Sequence, residues 1–340
     1  MQQRAVKRSG WMLLLSLLAA GPAPLALAEQ QAAGPVIDMA PVQVSGEQPG
    51  PGLWKVTSPQ GNVLWLLGTV SPLPAGVEWR SDQVEAIIAG ADHVLGPPGW
   101  KLDADIGFFR GLTLLPQARR TARDPQGRTL EQVLPPPVYA RWLQLKQANM
   151  GRDSDVEKER PFVASGRLYM AFLKRNGLRD AGQVNKALER AYKARGLERQ
   201  EARVLLPAGN IRDALKEMQA TEVNDRACFE RTLDTVEFQA GVLRERADAW
   251  SVGDVAALRR MAGWGMAQSC TDALADTEFA RRRGWTDLPE RARTHWLHLA
   301  EQSLRSHAST FAAVPASYLL GPQDYLGALA ARGYTVEPPT

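Results

Sequence analysis

The stretch Val63-Leu64-Trp65-Leu66-Leu67-Gly68 decides the fold, because it is apolar throughout and shows no alternation with polar residues. Such a run indicates a strand that is covered on both faces of a sheet. The preceding stretch LWKVT at residues 53–57 alternates, and the segment Pro59-Gln60-Gly61-Asn62 supplies a turn between the two. We therefore predict a hairpin whose second strand lies inside a sheet.

Further strands are predicted near both ends of the folded part. A helix that begins at Ser81-Asp82 leads into a short strand at His93-Val94-Leu95. At the far end, residues 310–314 (TFAAV) and 334–336 (YTV) read as strands on either side of a helix that ends at Arg332. Strands from distant segments must then share one sheet.

The middle of the chain is predicted to be helical. Residues 96–137 are rich in Pro and Gly and predict loops around one short helix near 106–112. From Val138 to Ser306 the period is helical, and the candidate helices are 138–149, 160–175, 182–195, 210–219, 225–249, 253–262, 267–283 and 288–306. The predicted fold class is α/β, with one mixed sheet built from N- and C-terminal segments and a large helical insertion at about 138–306.

The first 28 residues have the pattern of a signal peptide. A basic start containing Arg4, Lys7 and Arg8 precedes an apolar run at 11–20, and Ala26-Leu27-Ala28 offers small residues for cleavage. The apolar run is about half as long as the roughly 20 residues that cross a bilayer, so no transmembrane anchor is expected after cleavage. We expect export across the inner membrane to a periplasm, with residues 29–50 as a flexible lead-in and one domain at 51–338.

Charge argues against a nucleic-acid partner. The chain has 41 basic and 37 acidic residues, and removal of the three basic residues of the leader leaves 38 against 37. A nearly neutral protein lacks the basic surface that phosphate binding requires.

Cys228 and Cys270 are the two cysteines of the chain. In an oxidising compartment an even pair predicts a disulfide, and the alternative is two buried free thiols.

The order of several short motifs resembles the TraB/GumN family. These motifs include Trp65-Leu66-Leu67-Gly68-Thr69-Val70, Ala91-Asp92, Arg160-Pro161, Leu320-Gly321-Pro322 and residues 331–336 (ARGYTV). The resemblance covers about residues 51–338. It implies kinship with the Tiki metalloproteases, whose proposed chemistry uses two Gly-x-x-His motifs and acidic residues to bind a metal.

The chain departs from that pattern at the expected ligands. The first motif reads Gly68-Thr69-Val70-Ser71, and the second reads Pro315-Ala316-Ser317-Tyr318. The expected acids fall at Gly96 or Pro97 and within residues 204–207 (VLLP). A serine hydroxyl and a phenol stay protonated near neutral pH and are poor zinc ligands. We expect Gly68, Thr69, Ser71 and Tyr318 to form a pocket at the family site, with Ser71 and Tyr318 facing each other.

These observations favour a degenerate metallohydrolase scaffold that acts as a binding or accessory module in the cell envelope, without a cofactor and without catalytic or metal residues. The expected partner is an envelope protein, peptide or glycan. One alternative is a metal-dependent hydrolase that recruits His93, His295 or His298. Another is a factor associated with envelope polysaccharide, for which Trp79 and Trp100 are the candidate contacts.

Overall fold

The computed structural model describes residues 50–104, 108–180, 182–261 and 265–339. The predicted signal peptide at 1–28 and nearly all of the lead-in lie outside the described residues. None of the helices in these ranges is long and apolar enough to cross a membrane.

Ten strands and fifteen helices make up the described part. The strands are β1 (Leu53–Thr57), β2 (Val63–Thr69), β3 (Leu73–Pro74), β4 (His93–Leu95), β5 (Trp100–Asp103), β6 (Leu178–Arg179), β7 (Arg199–Gln200), β8 (Val204–Pro207), β9 (Ser309–Pro315) and β10 (Thr335–Glu337). The helices are α1 (Asp82–Gly90), α2 (Phe108–Thr121), α3 (Leu130–Val133), α4 (Pro136–Met150), α5 (Pro161–Arg175), α6 (Gly182–Ala194), α7 (Ile211–Ala220), α8 (Arg226–Phe238), α9 (Ala240–Ser251), α10 (Val255–Arg260), α11 (Gly265–Ala275), α12 (Glu278–Arg282), α13 (Leu288–Ser306), α14 (Ala316–Leu320) and α15 (Tyr325–Ala330).

Six strands form the main sheet in the order β10-β1-β2-β9-β4-β7. The hairpin is confirmed, since β1 pairs antiparallel with β2 in a register that sets Lys55 opposite Trp65. Strand β2 then pairs in parallel with β9, which comes from the far end of the chain. The α/β fold class, with a sheet assembled from both ends, is therefore confirmed.

The two faces of the sheet carry separate apolar clusters. On one face Leu67 and Phe311 pack with Trp250 of α9, and on the other Leu66 and Val314 pack with Trp296 of α13. Because both faces of β2 are covered, its sequence has no room for alternating polar residues. A third cluster joins α4, α5 and α8 in the helical region.

Two predicted helices are divided in the structure. The helix predicted at 225–249 is broken at Gln239 into α8 and α9, and the one at 267–283 is broken into α11 and α12. Thr277 accepts a hydrogen bond from the backbone N–H of Ala280 and so caps the start of α12. The cap starts a new helix where the apolar pattern alone continues.

The region at 96–137 is more ordered than its composition predicts. Helix α2 runs through Pro116 to Thr121, well beyond the predicted end near residue 112. Strand β5 pairs in parallel with β8, and the sequence pattern indicated neither strand. The apolar side chains of α2 lie against α7 and offset the helix-breaking tendency of the proline.

Cys228 and Cys270 lie at disulfide-bonding distance, with their sulfur atoms 1.99 Å apart. The bridge joins α11 to α8, and α8 contributes residues to the third apolar cluster.

Candidate functional site

The segments that carry the two altered motifs, residues 68–71 and 315–318, leave the sheet at the carboxyl ends of β2 and β9. We call this side of the sheet the family edge. In the parallel pair β2–β9, Thr69 lies opposite Pro315. The chain continues to Ser71 after the first strand and to Tyr318 after the second. Ligand sites of open α/β sheets lie outside the carboxyl ends of their strands, so this edge is a candidate functional site.

Gly68 stands where two tryptophans approach the backbone. Its carbonyl accepts a hydrogen bond of 2.6 Å from the indole N–H of Trp250. A Cβ atom at this position would lie 2.8 Å from the ring of Trp54. The close approach therefore requires glycine, and the aromatic rings fill the space on both sides of the strand end. Thr69 beside it is half-buried.

Ser71 is placed beside a buried positive charge. Its side chain is exposed, whereas its carbonyl oxygen accepts a hydrogen bond of 2.9 Å from Nη2 of Arg246. Arg246 is only 5% exposed, and burial lowers the pKa of its guanidinium. An arginine still keeps its proton in a protein, so a positive charge adjoins the end of the first motif.

Arg246 was missed by the sequence reasoning, although a signal exists. Leu243, Ala247 and Trp250 form the buried stripe of α9 at spacings of four and three residues. Arg246 falls on that stripe and is also buried, which is unusual for a charged residue.

Tyr318 packs with another tyrosine on the other side of the sheet. Its ring centroid lies 5.2 Å from that of Tyr325, and both belong to the cluster around Trp296. Burial raises the pKa of Tyr318, so the phenol stays neutral. The hydrogen bonds of the described ranges include none between Tyr318 and Ser71, and their predicted contact stays a prediction.

The residues at this edge do not fit the metal that the family resemblance implies. Among the described residues, no three His, Cys, Asp or Glu side chains are grouped to hold a metal ion. The positive charge of Arg246 near Ser71 opposes a cation there. At the expected acidic position, a Cβ on Gly96 would lie 2.7 Å from the carbonyl oxygen of Gln200, which leaves no space for a side chain.

The alternative ligand His93 lies at the opposite edge of the sheet. It stands opposite Thr310 in the β4–β9 pair. Thr310 lies about 16 Å from Pro315 along β9, at the usual rise per residue. The ring of His93 stacks on that of His307, with centroids 4.2 Å apart. The Ser303 hydroxyl lies 3.3 Å from its Nδ1.

Burial lowers the pKa of His93, and the neighbouring His307 lowers it further. The other two candidates, His295 and His298, lie on α13. His295 is half-buried and His298 is exposed. Glu301, the carboxylate one turn beyond His298, binds Arg332 at 2.6 Å. Among the described residues, His93, His295 and His298 are therefore not grouped as the ligands of one metal ion.

The two candidate tryptophans have different surroundings. Trp79 packs against the core, with its ring centroid 5.7 Å from that of Trp250. Trp100 lies at the start of β5 and lines an apolar cavity of about 570 Å³. This cavity is bounded by β5, β8, α2, α7, α11, α12 and the first residue of α13, and we call it the apolar cavity.

The apolar cavity is a second candidate site. Its wall includes Leu115, Leu206, Leu215, Leu274 and Phe279. Its volume lies within the roughly 300–1,000 Å³ that is usual for small-molecule sites. Sequence reasoning missed it, because its walls are elements whose contacts with one another are not local in the chain.

A six-stranded mixed sheet joins segments from the N- and C-terminal parts of the described chain, and the two motif segments follow its parallel strands β2 and β9. Residues 52–338 match the TraB/PrgY/gumN family, and the chain belongs to that family. Neither the curated proteins nor the solved structures provide a significant match.

Proposed function

We propose that this TraB/PrgY/gumN-family protein is a non-catalytic binding or accessory module of the cell envelope and not a metal-dependent hydrolase. The observation that carries the proposal is the chemistry of the edge after β2 and β9. Ser71 and Tyr318 stand in place of two imidazoles, and Arg246 adds a positive charge.

The packing around these residues supports the same proposal. The rings of Trp54 and Trp250 contact Gly68 from two sides, and the ring of Tyr318 packs at a tilt against that of Tyr325. A hydrolytic site needs an open coordination position for water. Aromatic side chains that pack against each other stabilise the scaffold and leave little polar surface for such a position.

Metal analysis of the purified chain tests the proposal. The protein is produced with its leader, collected after export, and dialysed against buffer that contains Zn²⁺, Mn²⁺ or Co²⁺ before elemental analysis. We expect well below one equivalent of each metal, and no cleavage of a peptide library. One equivalent that is lost on the double substitution Ser71→Ala and Tyr318→Phe would contradict the proposal.

Histidine variants serve as matched controls. Metal that is retained by the double variant but lost on His93→Ala or His307→Ala would be bound at the stacked pair, about 16 Å of strand from the family edge. Metal lost on His298→Ala, an exposed residue of α13, would indicate surface binding. Peptide cleavage that depends on either set would support the metal-dependent alternative.

Location in the envelope is the second part of the proposal, and it is supported by the leader pattern at 1–28 and by the cysteine pair. Mass spectrometry of the exported chain tests it. We expect a mature N terminus at Glu29 and two fewer hydrogens than the reduced mass, which corresponds to one disulfide. An intact N terminus with both thiols free would argue for a reducing compartment.

A further inference from the structure

The apolar cavity has a wall that offers almost no hydrogen-bonding partners. Its side chains are mainly Leu, Ala and aromatic residues from seven elements. The Thr277 hydroxyl is already used, since it donates to the carbonyl of Leu274 and accepts from the N–H of Ala280. A peptide in this space would bury amide groups without partners, which is costly. An aliphatic chain has no such groups.

Two buried N–H groups beside the cavity have no acceptor in the described part of the chain. One is the indole Nε1 of Trp285, which lines the cavity, and the other is Nε of Arg283. The Arg283 guanidinium lies 4.8 Å from the ring centroid of Phe279 and 5.8 Å from that of Trp285. A buried donor without a partner is unfavourable, so an anionic oxygen that reaches these groups would be bound.

The remaining donors of Arg283 hold the guanidinium in place. Its Nη1 donates to the carbonyl of Ala208 at 3.0 Å, and its Nη2 donates to Glu217 at 2.9 Å. Ala208 is itself part of the cavity wall. The guanidinium is therefore paired with Glu217 and fixed beside the wall, and its Nε hydrogen has no acceptor among the described residues.

We propose that the apolar cavity binds a free long-chain carboxylic acid, with the chain between α2, α7 and α11 and the carboxylate at Trp285 and Arg283. This inference rests on the proposed function in one respect, because it supplies the ligand that a binding module needs. The site is separate from the edge that carries Ser71 and Tyr318.

Titration calorimetry with dodecanoate on the mature full-length protein tests the proposal, with 1-dodecanol and butanoate as comparison compounds. We expect one dodecanoate per chain, weaker binding of the alcohol and no measurable binding of butanoate. Absence of dodecanoate binding would overturn the proposal. Dodecanol that binds as tightly as dodecanoate would overturn the assignment of the head-group site.

Two leucines of α2 provide a matched pair of variants. Leu115 and Leu112 are both 48% exposed, but Leu115 lines the cavity and Leu112 does not. We expect Leu115→Gln to weaken dodecanoate binding by about tenfold, a typical loss for one interface residue, and Leu112→Gln to leave it unchanged. Equal losses in the two variants would overturn the location. Leu274→Gln repeats the test from α11, should Leu115→Gln fail to fold.

Trp285→Phe tests the head group. It removes the N–H and keeps an aromatic ring, so we expect about tenfold weaker binding of dodecanoate and a much smaller change for dodecanol. Equal losses for both compounds would show that Trp285 contributes only apolar surface.

Sedimentation of the ligand-free protein tests whether a second copy of the chain occupies the cavity instead of a fatty acid. A dimer that Leu115→Gln dissociates would show that a second copy covers the cavity, and this would overturn the proposal. The two proposals fail in different assays, because a metal equivalent refutes the proposed function and leaves the dodecanoate result unaffected.

Discussion

Substitution of Arg160 is expected to lower the stability of the protein strongly. This residue is 3% exposed, and burial lowers the pKa of its guanidinium. The guanidinium donates to five backbone carbonyls, which belong to Thr121, Arg123, Met218, Gln219 and Thr221, at distances of 2.6–3.1 Å. These carbonyls lie at or just beyond the C-terminal ends of α2 and α7, where a positive charge is favourable.

The cost of removing the guanidinium follows from the acceptors that it leaves behind. A hydrogen bond to a charged group contributes about 1.5–3 kcal/mol, and each buried acceptor that is left without a partner costs about 1–3 kcal/mol. Since contributions of neighbours are not additive, we expect Arg160→Met to lower the free energy of unfolding by about 3–5 kcal/mol. Arg160→Lys, with three donors on one nitrogen, should recover part of that loss.

Urea denaturation followed by tryptophan fluorescence and circular dichroism measures this change. Arg152→Met is the control, because Arg152 is exposed and lies just eight residues away; its effect should stay within about 0.5 kcal/mol. Since α2 and α7 also line the apolar cavity, Arg160→Met should weaken dodecanoate binding as well. If Arg160→Met costs no more than Arg152→Met, the reasoning from buried carbonyls is wrong.

Three further predictions concern the bridge, the stacked histidines and the edge after β2. The disulfide spans a sequence separation of 42 residues, so Cys228→Ser with Cys270→Ser should lower the free energy of unfolding by about 4 kcal/mol in the chain-entropy model. A reductant should destabilise the wild type and not the variant, and equal sensitivity of the two would refute the bridge. The folded-state pKa of His93 lies below its ordinary value of 6.5, so the contribution of His93 to stability is complete above about pH 6.5 and is lost as the pH falls through the lowered pKa. In an NMR titration, His307→Gln should raise the pKa of His93, and an unchanged pKa would exclude repulsion between the two rings. Gly68→Ala places a Cβ 2.8 Å from the Trp54 ring and should lower the free energy of unfolding, measured with heat or urea, by about 1–3 kcal/mol. The control Gly90→Ala has open space around it at the end of α1 and should be neutral or slightly stabilising. Equal effects would show that the Trp54 ring moves aside.

Local sequence signals predicted five of the six strands of the main sheet, and β7 (Arg199–Gln200) was missed. The hairpin of β1 and β2, the short strand at His93 and the late strands β9 and β10 all follow from runs of apolar residues and their turns. Long helices such as α13 were also predicted within a residue, because Asp287 and Pro289 mark its start and its apolar stripe is continuous.

The errors occur where a tertiary contact overrides a local preference. Helix α2 continues past Pro116 because its leucines pack on α7, and β5 and β8 exist only as partners of each other. The break between α11 and α12 depends on the Thr277 cap, which an apolar period does not reveal.

The sequence by itself determined the family, the sheet built from N- and C-terminal segments and the presence of Ser71 and Tyr318 in the two motifs, because each of these depends on which residues stand at which positions. The tertiary structure alone decided that Arg246 donates to the carbonyl of Ser71, that His93 stacks on His307, and that β5, β8 and five helices line an apolar cavity. The physical reason is that these contacts join residues far apart in the chain. Their distances are fixed by the packing of whole elements, and the local preferences of the residues concerned do not encode them.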